Sequence, residues 1–465
     1  YLIGSIRNLY PKLEIEGGAG VRPHKKSINN YCYPENPEAG IDLFLEKLVQ
    51  ETEKEHEDIL EQADETDAMF GELYSWYLRN PEYRSRVQKL VQSAFAGKPE
   101  DIISQSVAKA LYGEVSPYSA TRLERFAACA FAHFLQYGMK LTERVEYEFK
   151  PMDMGNVMHE ALESFAEEVR KRGMKWTELT EQERNEIADR CLDNIVADYG
   201  NTVLKSSARN EYMIERTRRI LRRTVWALQK QLEQGEFQPE GFEVTFGGGR
   251  IDRVDIMEDQ NKVYVKVIDY KTGNTSFDLV YLYHGLQLQL MIYLDGALRV
   301  EQKKYPDKEI IPAGVFYYNI KDPMIQEKID ADVEAVSAGL MKELKMNGLA
   351  QADPELVYRM DSSLGSIPVA FNKDGSFRKN SSVADRTQFA VLGRYVRTKI
   401  EKIRSSILEG DAEVSPYELG KKNACTYCPY MTVCGFDRRL SGYEFRRLKN
   451  FSDEELWKAF DREAE

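Results

Sequence analysis

The stretch Gly247 to Lys271, GGGRIDRVDIMEDQNKVYVKVIDYK, constrains the fold more than any other part of the chain. Two runs rich in Val, Ile and Tyr, Gly249 to Met257 and Lys262 to Tyr270, flank the polar turn EDQN, which is the pattern of a β-hairpin. The first strand carries Asp252 and the second Asp269, so pairing brings two carboxylates to one end of a sheet. Two carboxylates make a hard oxygen site suited to Mg²⁺ or Mn²⁺. Lys271 lies two residues beyond Asp269, and the period-2 geometry of a strand sends both side chains to one face. Two acids and a lysine at one spot are the equipment for metal-assisted phosphodiester hydrolysis. An isolated D-x-K is more often a solvated strand end, and Asp252 within IDRVD also suits a surface ion pair with Arg250 or Arg253. The neighbouring segments decide between these readings.

With 465 residues the chain can build two or three domains. It begins at Tyr1 rather than Met and is expected to be a portion of a longer polypeptide. No apolar run reaches membrane-spanning length and no signal peptide heads the sequence, so a soluble, intracellular protein is expected. A net charge of −12 excludes a broad basic coat, and any nucleic-acid contact has to be a local basic groove. No GxxxxGK[ST] phosphate loop occurs, so the sequence offers no ATPase site. Of the six cysteines, Cys32, Cys129 and Cys191 stand alone, while Cys425, Cys428 and Cys434 cluster. In a large cytosolic chain such a cluster points to a metal or cofactor rather than to a disulfide framework.

Residues 1–36 show weak periodicity, and Pro37 to Phe95 reads as two or three amphipathic helices. From Ser116, SPYSATRLERFAACAFAHFLQYGMKL reads as one helix with Ser-Pro at its start and an apolar stripe of Leu123, Phe126, Phe131 and Phe134. Cys129 falls inside it, where its plain reading is a small buried hydrophobe. A helix from Gly155 to Lys171 buries Val157, Ala161, Leu162, Phe165 and Val169 and stops at Gly173. His159, on its first turn, suits either a packed residue or a ligand. Thr180 and Glu183 form a capping box opening a helix to about Tyr199. A longer helix, Ala208 to Leu232, carries Arg216, Arg219 and Arg223 on one face with Arg218 and Arg222 alongside, either a solvated face or a phosphate track. Then come the strand FEVTFG, the hairpin, a helix from Phe277 to Leu298 and a strand from Ala313 to Ile320. The expected class is α/β, with a core order of helix, three strands, helix, strand. Gln287, Gln289 and Tyr293 interrupt the apolar surface of the last helix and are expected to brace the carboxylates. Residues 321–382 carry no assignment beyond an exposed loop, NKDGSFRKNSS. A basic helix with Arg394, Arg397, Lys399, Lys402 and Arg404 then leads to the cysteine cluster.

The motifs GxxxH (Gly155 to His159), GRIDRVD (Gly249 to Asp255), DYK (Asp269 to Lys271) and QxxxY (Gln289 to Tyr293) follow one another as in RecB-type nucleases. The chain thus resembles the PD-(D/E)xK superfamily, whose restriction-endonuclease-like core has the element order given above. Its flanks resemble the B-subunit family of bacterial AddAB helicase-nucleases: SPYSATRLERFAACAFAHF around Cys129, and CTYCPYMTVC with Cys425, Cys428 and Cys434. That family often has Cys-Pro-Phe where this chain reads Cys129, Ala130, Phe131, a departure that leaves the cysteine in place. The resemblance covers Ser116 to Asp437. It implies a helical end of a helicase-like region in 1–115, a nuclease domain in 116–437 and a helical tail in 438–465.

By the same resemblance, Asp252, Asp269 and the carbonyl of Tyr270 hold Mg²⁺, with His159 as a further ligand or close neighbour. Lys271 orients the attacking water, and Gln289 and Tyr293, or Gln287 in a shifted register, support the site or contact DNA. The CxxC and third cysteine lack a second local pair, so a four-thiolate site has to recruit a distant residue; the residues alone leave zinc and iron–sulfur equally open. The resemblance implies a [4Fe-4S] cluster on Cys129, Cys425, Cys428 and Cys434 that staples the two ends of the domain. It implies a Mg²⁺-dependent exonuclease of single-stranded, end-containing DNA, acting on the 5′-ended strand in double-strand-break repair. The enzyme would work in the bacterial cytoplasm, at the nucleoid, as a heterodimer with the helicase-nuclease A subunit. Two other readings are a free-standing RecB-like exonuclease of the CRISPR-adaptation type and a non-catalytic DNA-end clamp with a structural cluster.

Overall fold

Along the second hairpin strand, Val263, Val265 and Val267 enter one apolar cluster while Ile268 and Tyr270 enter another, so the sheet is covered on both faces. The computed structural model describes residues 37–53, 65–94, 102–113, 118–142, 151–198, 207–247, 249–325, 332–440 and 442–464. Strands β1 (Gln238–Phe246), β2 (Gly249–Asp259), β3 (Lys262–Lys271), β4 (Glu309–Asn319), β5 (Asn347–Gln351) and β6 (Val383–Ala384) form one mixed sheet in that order. The β1/β2 and β2/β3 pairs are antiparallel, and β3/β4 is parallel across the helix Gln289–Lys304. With the helix Pro151–Lys171 ahead of β1, this is the core order expected from the sequence, in a mostly helical chain. β5 and β6 extend the sheet from the stretch that carried no assignment.

One face is covered by the helices Pro151–Lys171, Glu181–Asp198 and Ala208–Glu233, the other by Ala120–Ala128, Gln289–Lys304 and Arg386–Glu409. Thr180 and Glu183 make the expected reciprocal caps, Thr180 N–H to Glu183 at 3.0 Å and Glu183 N–H to Thr180 Oγ1 at 3.3 Å. The chain divides into two units, Tyr1–Pro99 with Asp437–Tyr443, and Glu100–Phe436 with Glu444–Glu465. In the first, the helices Pro37–Glu53, Glu65–Arg79 and Pro81–Ala94 pack around Phe44, Tyr77 and Val87, as their periodicity predicts. Among the described residues no helix is long and apolar enough to cross a membrane.

Two expected helices are broken. The segment from Ser116 starts its helix at Ala120 with Ser119 as N-cap, the Ser116-Pro117 pair lying outside the described residues, and stops at Ala128. Cys129 is extended there, at φ −167°, and the next amide but one, Phe131 N–H, leaves for the Glu413 carbonyl at 2.9 Å. The helix expected from Phe277 to Leu298 is likewise two, Leu279–Tyr283 and Gln289–Lys304. Gly285 at φ +78° turns the chain between them, a conformation other residues rarely adopt.

Under the hairpin lies a buried ionic triad. Asp255 accepts from Arg253 Nε at 2.5 Å and Lys266 Nζ at 2.9 Å, all three residues being buried. Burial pushes the Asp255 carboxyl up, but Arg253 and Lys266 together hold it below the usual range. The IDRVD arginine therefore serves Asp255 and leaves Asp252 to the site. Asp255→Ala would strand two buried cations, and a loss of about 3–5 kcal/mol in urea unfolding is expected; a midpoint equal to wild type would contradict this account.

Candidate functional site

Strand register assembles the acids. Phe242 pairs with Arg253 and Val244 with Ile251, so Glu243 of β1 stands directly opposite Asp252 of β2. That register follows a one-residue irregularity between Pro239 and Gly241; without the shift Phe242 would face Asp252 instead. Glu243 itself has φ +49°, a backbone strain of about 1 kcal/mol or more held in place by the surrounding strands. Like charges directly opposite on neighbouring strands repel, so both carboxylates draw cations. Arg250 pairs with Glu243, and His159 Nδ1 lies 3.3 Å from Asp252 and 3.9 Å from Glu243. One ligand atom each from His159, Glu243 and Asp252 falls within 4.8 Å of the others, a spacing that suits one metal ion. Burial alone would push the His159 imidazole down, but hydrogen bonds to Asp252 and Glu243 and the charges of Asp252 and Asp269 raise it to about 10. The cluster thus holds a positive charge where a cation would sit.

Asp269 is 1% exposed, and burial and the charge of Asp252 push its carboxyl up to about 7, opposed by Lys271. Lys271 Nζ lies 2.6 Å from Asp269 and donates to Gln289 Oε1 at 2.7 Å. Gln289 Nε2 donates to the Tyr293 hydroxyl at 2.9 Å. Asp252, Asp269, Lys271, His159, Gln289 and Tyr293 are therefore brought together at the ends of β2 and β3. Tyr270 meets the site through its backbone N–H, which donates to Asp252 at 2.7 Å, while its ring packs edge-on against His159 from the opposite face. Gln287 is not in this group: it accepts from Asp278 N–H and donates to the Ser276 carbonyl in the break before the helix. Sequence reasoning missed Glu243, whose strand it read but whose register it did not. It also missed Glu124, which accepts from the Leu288 and Gln289 amides at 2.7 and 3.0 Å.

The arginines of the helix Ala208–Glu233 resolve to an ion-paired face. Arg218 binds Asp193 at 2.7 Å, Arg219 binds Asp322 at 2.6 Å and Arg222 binds Asp189, which favours that reading over a phosphate track. A better basic groove lies one helical turn beyond Tyr293. It is a cleft of about 490 Å³ between Phe246, Gly296 and Val396, with Arg299, Lys303, Arg397 and Arg404 on its walls and Asp295 beside them. Gly296 is required there, because a Cβ would lie 2.6 Å from the Phe246 ring.

Cys129, Cys425, Cys428 and Cys434 line one pocket, with Phe131, Tyr430 and Phe436 around them. Asn423 Oδ1 accepts from the Cys425 and Thr426 amides at 2.9 and 3.0 Å and shapes the CxxC turn. The Phe436 amide donates to Cys434 Sγ at 3.4 Å. Burial pushes the Cys425 thiol up to about 12, and the other three sulfurs add to the rise. Four thiolates at such a spot require a cationic centre. Cys191 is buried among the helices of the other face, in a different cluster, and Cys32 lies outside the described residues.

Residues 117–435 match the model of the PD-(D/E)XK nuclease superfamily. The B subunit of an ATP-dependent helicase/deoxyribonuclease from Lachnoclostridium phytofermentans is 39% identical over 100% of this chain and 40% of its own length. Proteins of the same name from Thermoanaerobacter sp. (strain X514) and Clostridium acetobutylicum are each 33% identical over 86% of this chain and 37% and 36% of theirs. The chain thus spans about 40% or less of the length of these relatives. The family match takes in every element that carries His159, Glu243, Asp252, Asp269, Lys271 and Gln289, and the chain belongs to the PD-(D/E)XK nuclease superfamily.

Proposed function

We propose that this chain is a Mg²⁺-dependent exonuclease that hydrolyses phosphodiester bonds of single-stranded DNA, on the 5′-ended strand, as the nuclease part of a helicase-nuclease. The observation that carries the reading is the convergence of Asp252, Asp269 and Lys271 with His159 and Glu243. His159, Glu243 and Asp252 would hold the ion, with Asp269 and the Tyr270 carbonyl as the remaining donors; their hard oxygen and imidazole set fits it. Bound Mg²⁺ supplies Lewis-acid polarisation and a more acidic water. The chain's own contribution is positional and electrostatic. Lys271, fixed between Asp269 and Gln289, orients the attacking water and offsets charge that grows on the phosphoryl oxygens. The cleft of Arg299, Lys303, Arg397 and Arg404 gives an acidic chain a local basic surface next to the site, suited to a DNA backbone.

In this reading residues 1–115 are the helical end of a helicase-like region, 116–437 the nuclease domain and 438–465 a helical tail. The relatives are named as one subunit of a helicase/deoxyribonuclease, which supports a partner helicase subunit and a role at DNA ends in the cytoplasm. Cys129, Cys425, Cys428 and Cys434 would hold a [4Fe-4S] cluster, which would tie the start of the domain to its end. The test is digestion of single-stranded DNA labelled at either end, with the chain purified without oxygen. Cleavage with Mg²⁺ that stops on chelation is expected, the labelled end that disappears first giving the polarity. DNA binding without cleavage at any Mg²⁺ concentration, with a helicase partner also present, would instead identify a DNA-end clamp.

A further inference from the structure

We infer that Glu124 is a positioning residue for the Lys271 ammonium, because it caps, from a separate helix, the helix that carries Gln289 and Tyr293. The inference rests on the hydrolytic reading of the site. The first amides of any helix lack partners within it, and a buried start needs them supplied. The helix Gln289–Lys304 starts behind Leu288, which is fully buried and offers no capping side chain. Glu124 meets the need with one oxygen, Oε1, which accepts from Leu288 N–H at 2.7 Å and Gln289 N–H at 3.0 Å. A carboxylate at that end also suits the helix dipole.

The same Gln289 whose amide Glu124 holds is the acceptor for Lys271 Nζ at 2.7 Å, and Lys271 in turn pairs with Asp269 at 2.6 Å. A lysine on a flexible stem keeps one place only when its acceptors do. Glu124 is itself fixed: Leu123, Phe126 and Ala127 of its helix enter the core, Cys129 N–H closes the helix on the Arg125 carbonyl at 3.1 Å, and Arg446 binds the Ala127 carbonyl. The acceptor oxygen of Glu124 points at amides rather than at the His159, Glu243 and Asp252 group, so its part is to hold Gln289 rather than to bind metal or move a proton.

Glu124→Ala and Glu124→Gln in this chain test the inference by two readouts, steady-state cleavage of labelled single-stranded DNA and amide hydrogen exchange over residues 286–293. Glu124→Ala should lower kcat about 10- to 100-fold with KM for DNA and the Mg²⁺ midpoint little changed, as expected when a catalytic group is misplaced by about an ångström. Exchange over 286–293 should quicken in Glu124→Ala and stay unchanged over the helix Ala208–Glu233. Glu124→Gln keeps an oxygen acceptor and should restore the slow exchange and most of kcat. Wild-type kcat in Glu124→Ala, a loss of kcat without faster exchange, or a Gln variant as damaged as the Ala variant would each overturn the inference. A wild-type chain that never cleaves would sink the hydrolytic reading instead, and exchange alone would then decide the capping role.

Discussion

Asp269→Ala is expected to lower Mg²⁺-dependent cleavage of single-stranded DNA by at least about 10³-fold, equivalent to about 4 kcal/mol of transition-state stabilisation, with DNA affinity retained. Two functions end together in this variant. The site loses one of its two central acids, and Lys271 loses the partner 2.6 Å away that fixes its ammonium. The loss should not come from unfolding. Burial and the Asp252 charge push the Asp269 carboxyl up to about 7, so its ionised form is a liability to the metal-free fold. Asp269→Asn, the isosteric control, is therefore expected to be equally inactive and to melt at or above the wild-type temperature. Residual activity within tenfold of wild type would move the reacting centre elsewhere; inactivity with a large drop in Tm would make Asp269 a structural residue.

Cys428→Ala and Cys129→Ala are expected to produce the largest loss of stability, about 5–6 kcal/mol by the chain-entropy estimate for a closed loop of roughly 300 residues. Cys129 ends a helix packed into the nuclease core, whereas Cys425, Cys428 and Cys434 follow a short strand pair nearly at the other end of the domain. Joining them through one centre removes most of the freedom that the segment between has when unfolded. Bound iron and DNA binding should be lost with the fold. Cys191→Ala is the control: Cys191 is buried in a different cluster, so iron content should stay at the wild-type value and stability should fall by no more than about 1–2 kcal/mol. Wild-type melting in the Cys129 and Cys428 variants would remove the staple, and stoichiometric zinc in the wild-type chain would replace iron–sulfur with a structural zinc site.

Much of the site was legible because its signals are local. Alternation in β3 places Asp269 and Lys271 on one face whatever the strand pairs with, and the polar turn between two β-branched runs dictates the hairpin that brings Asp252 alongside. Helical spacing put Gln289 four residues before Tyr293, hence within hydrogen-bonding reach. Local reading failed where a distant segment intervened. Cys129 looked helical because its neighbours are good helix formers, but the Glu413 carbonyl takes the Phe131 amide and Cys129 ends the helix in an extended conformation. The helix before Gln289 looked continuous until Gly285 adopted a positive φ.

The sequence by itself determined the elements, their order and the chemistry they carry: a hairpin with two acids and a lysine, a histidine on the preceding helix, an amide and a phenol on the following one, and a cysteine cluster short of one ligand. These follow from periodicity and residue type, which act over a few residues. Only the tertiary structure decided that Glu243 faces Asp252, that Glu124 caps the Gln289 helix, that Arg253 serves Asp255, and that Cys129 joins the C-terminal thiols. Each depends on a register, a bulge or the docking of segments up to roughly 300 residues apart. Such pairings are fixed by the packing of the whole chain, and no stretch of sequence carries them alone.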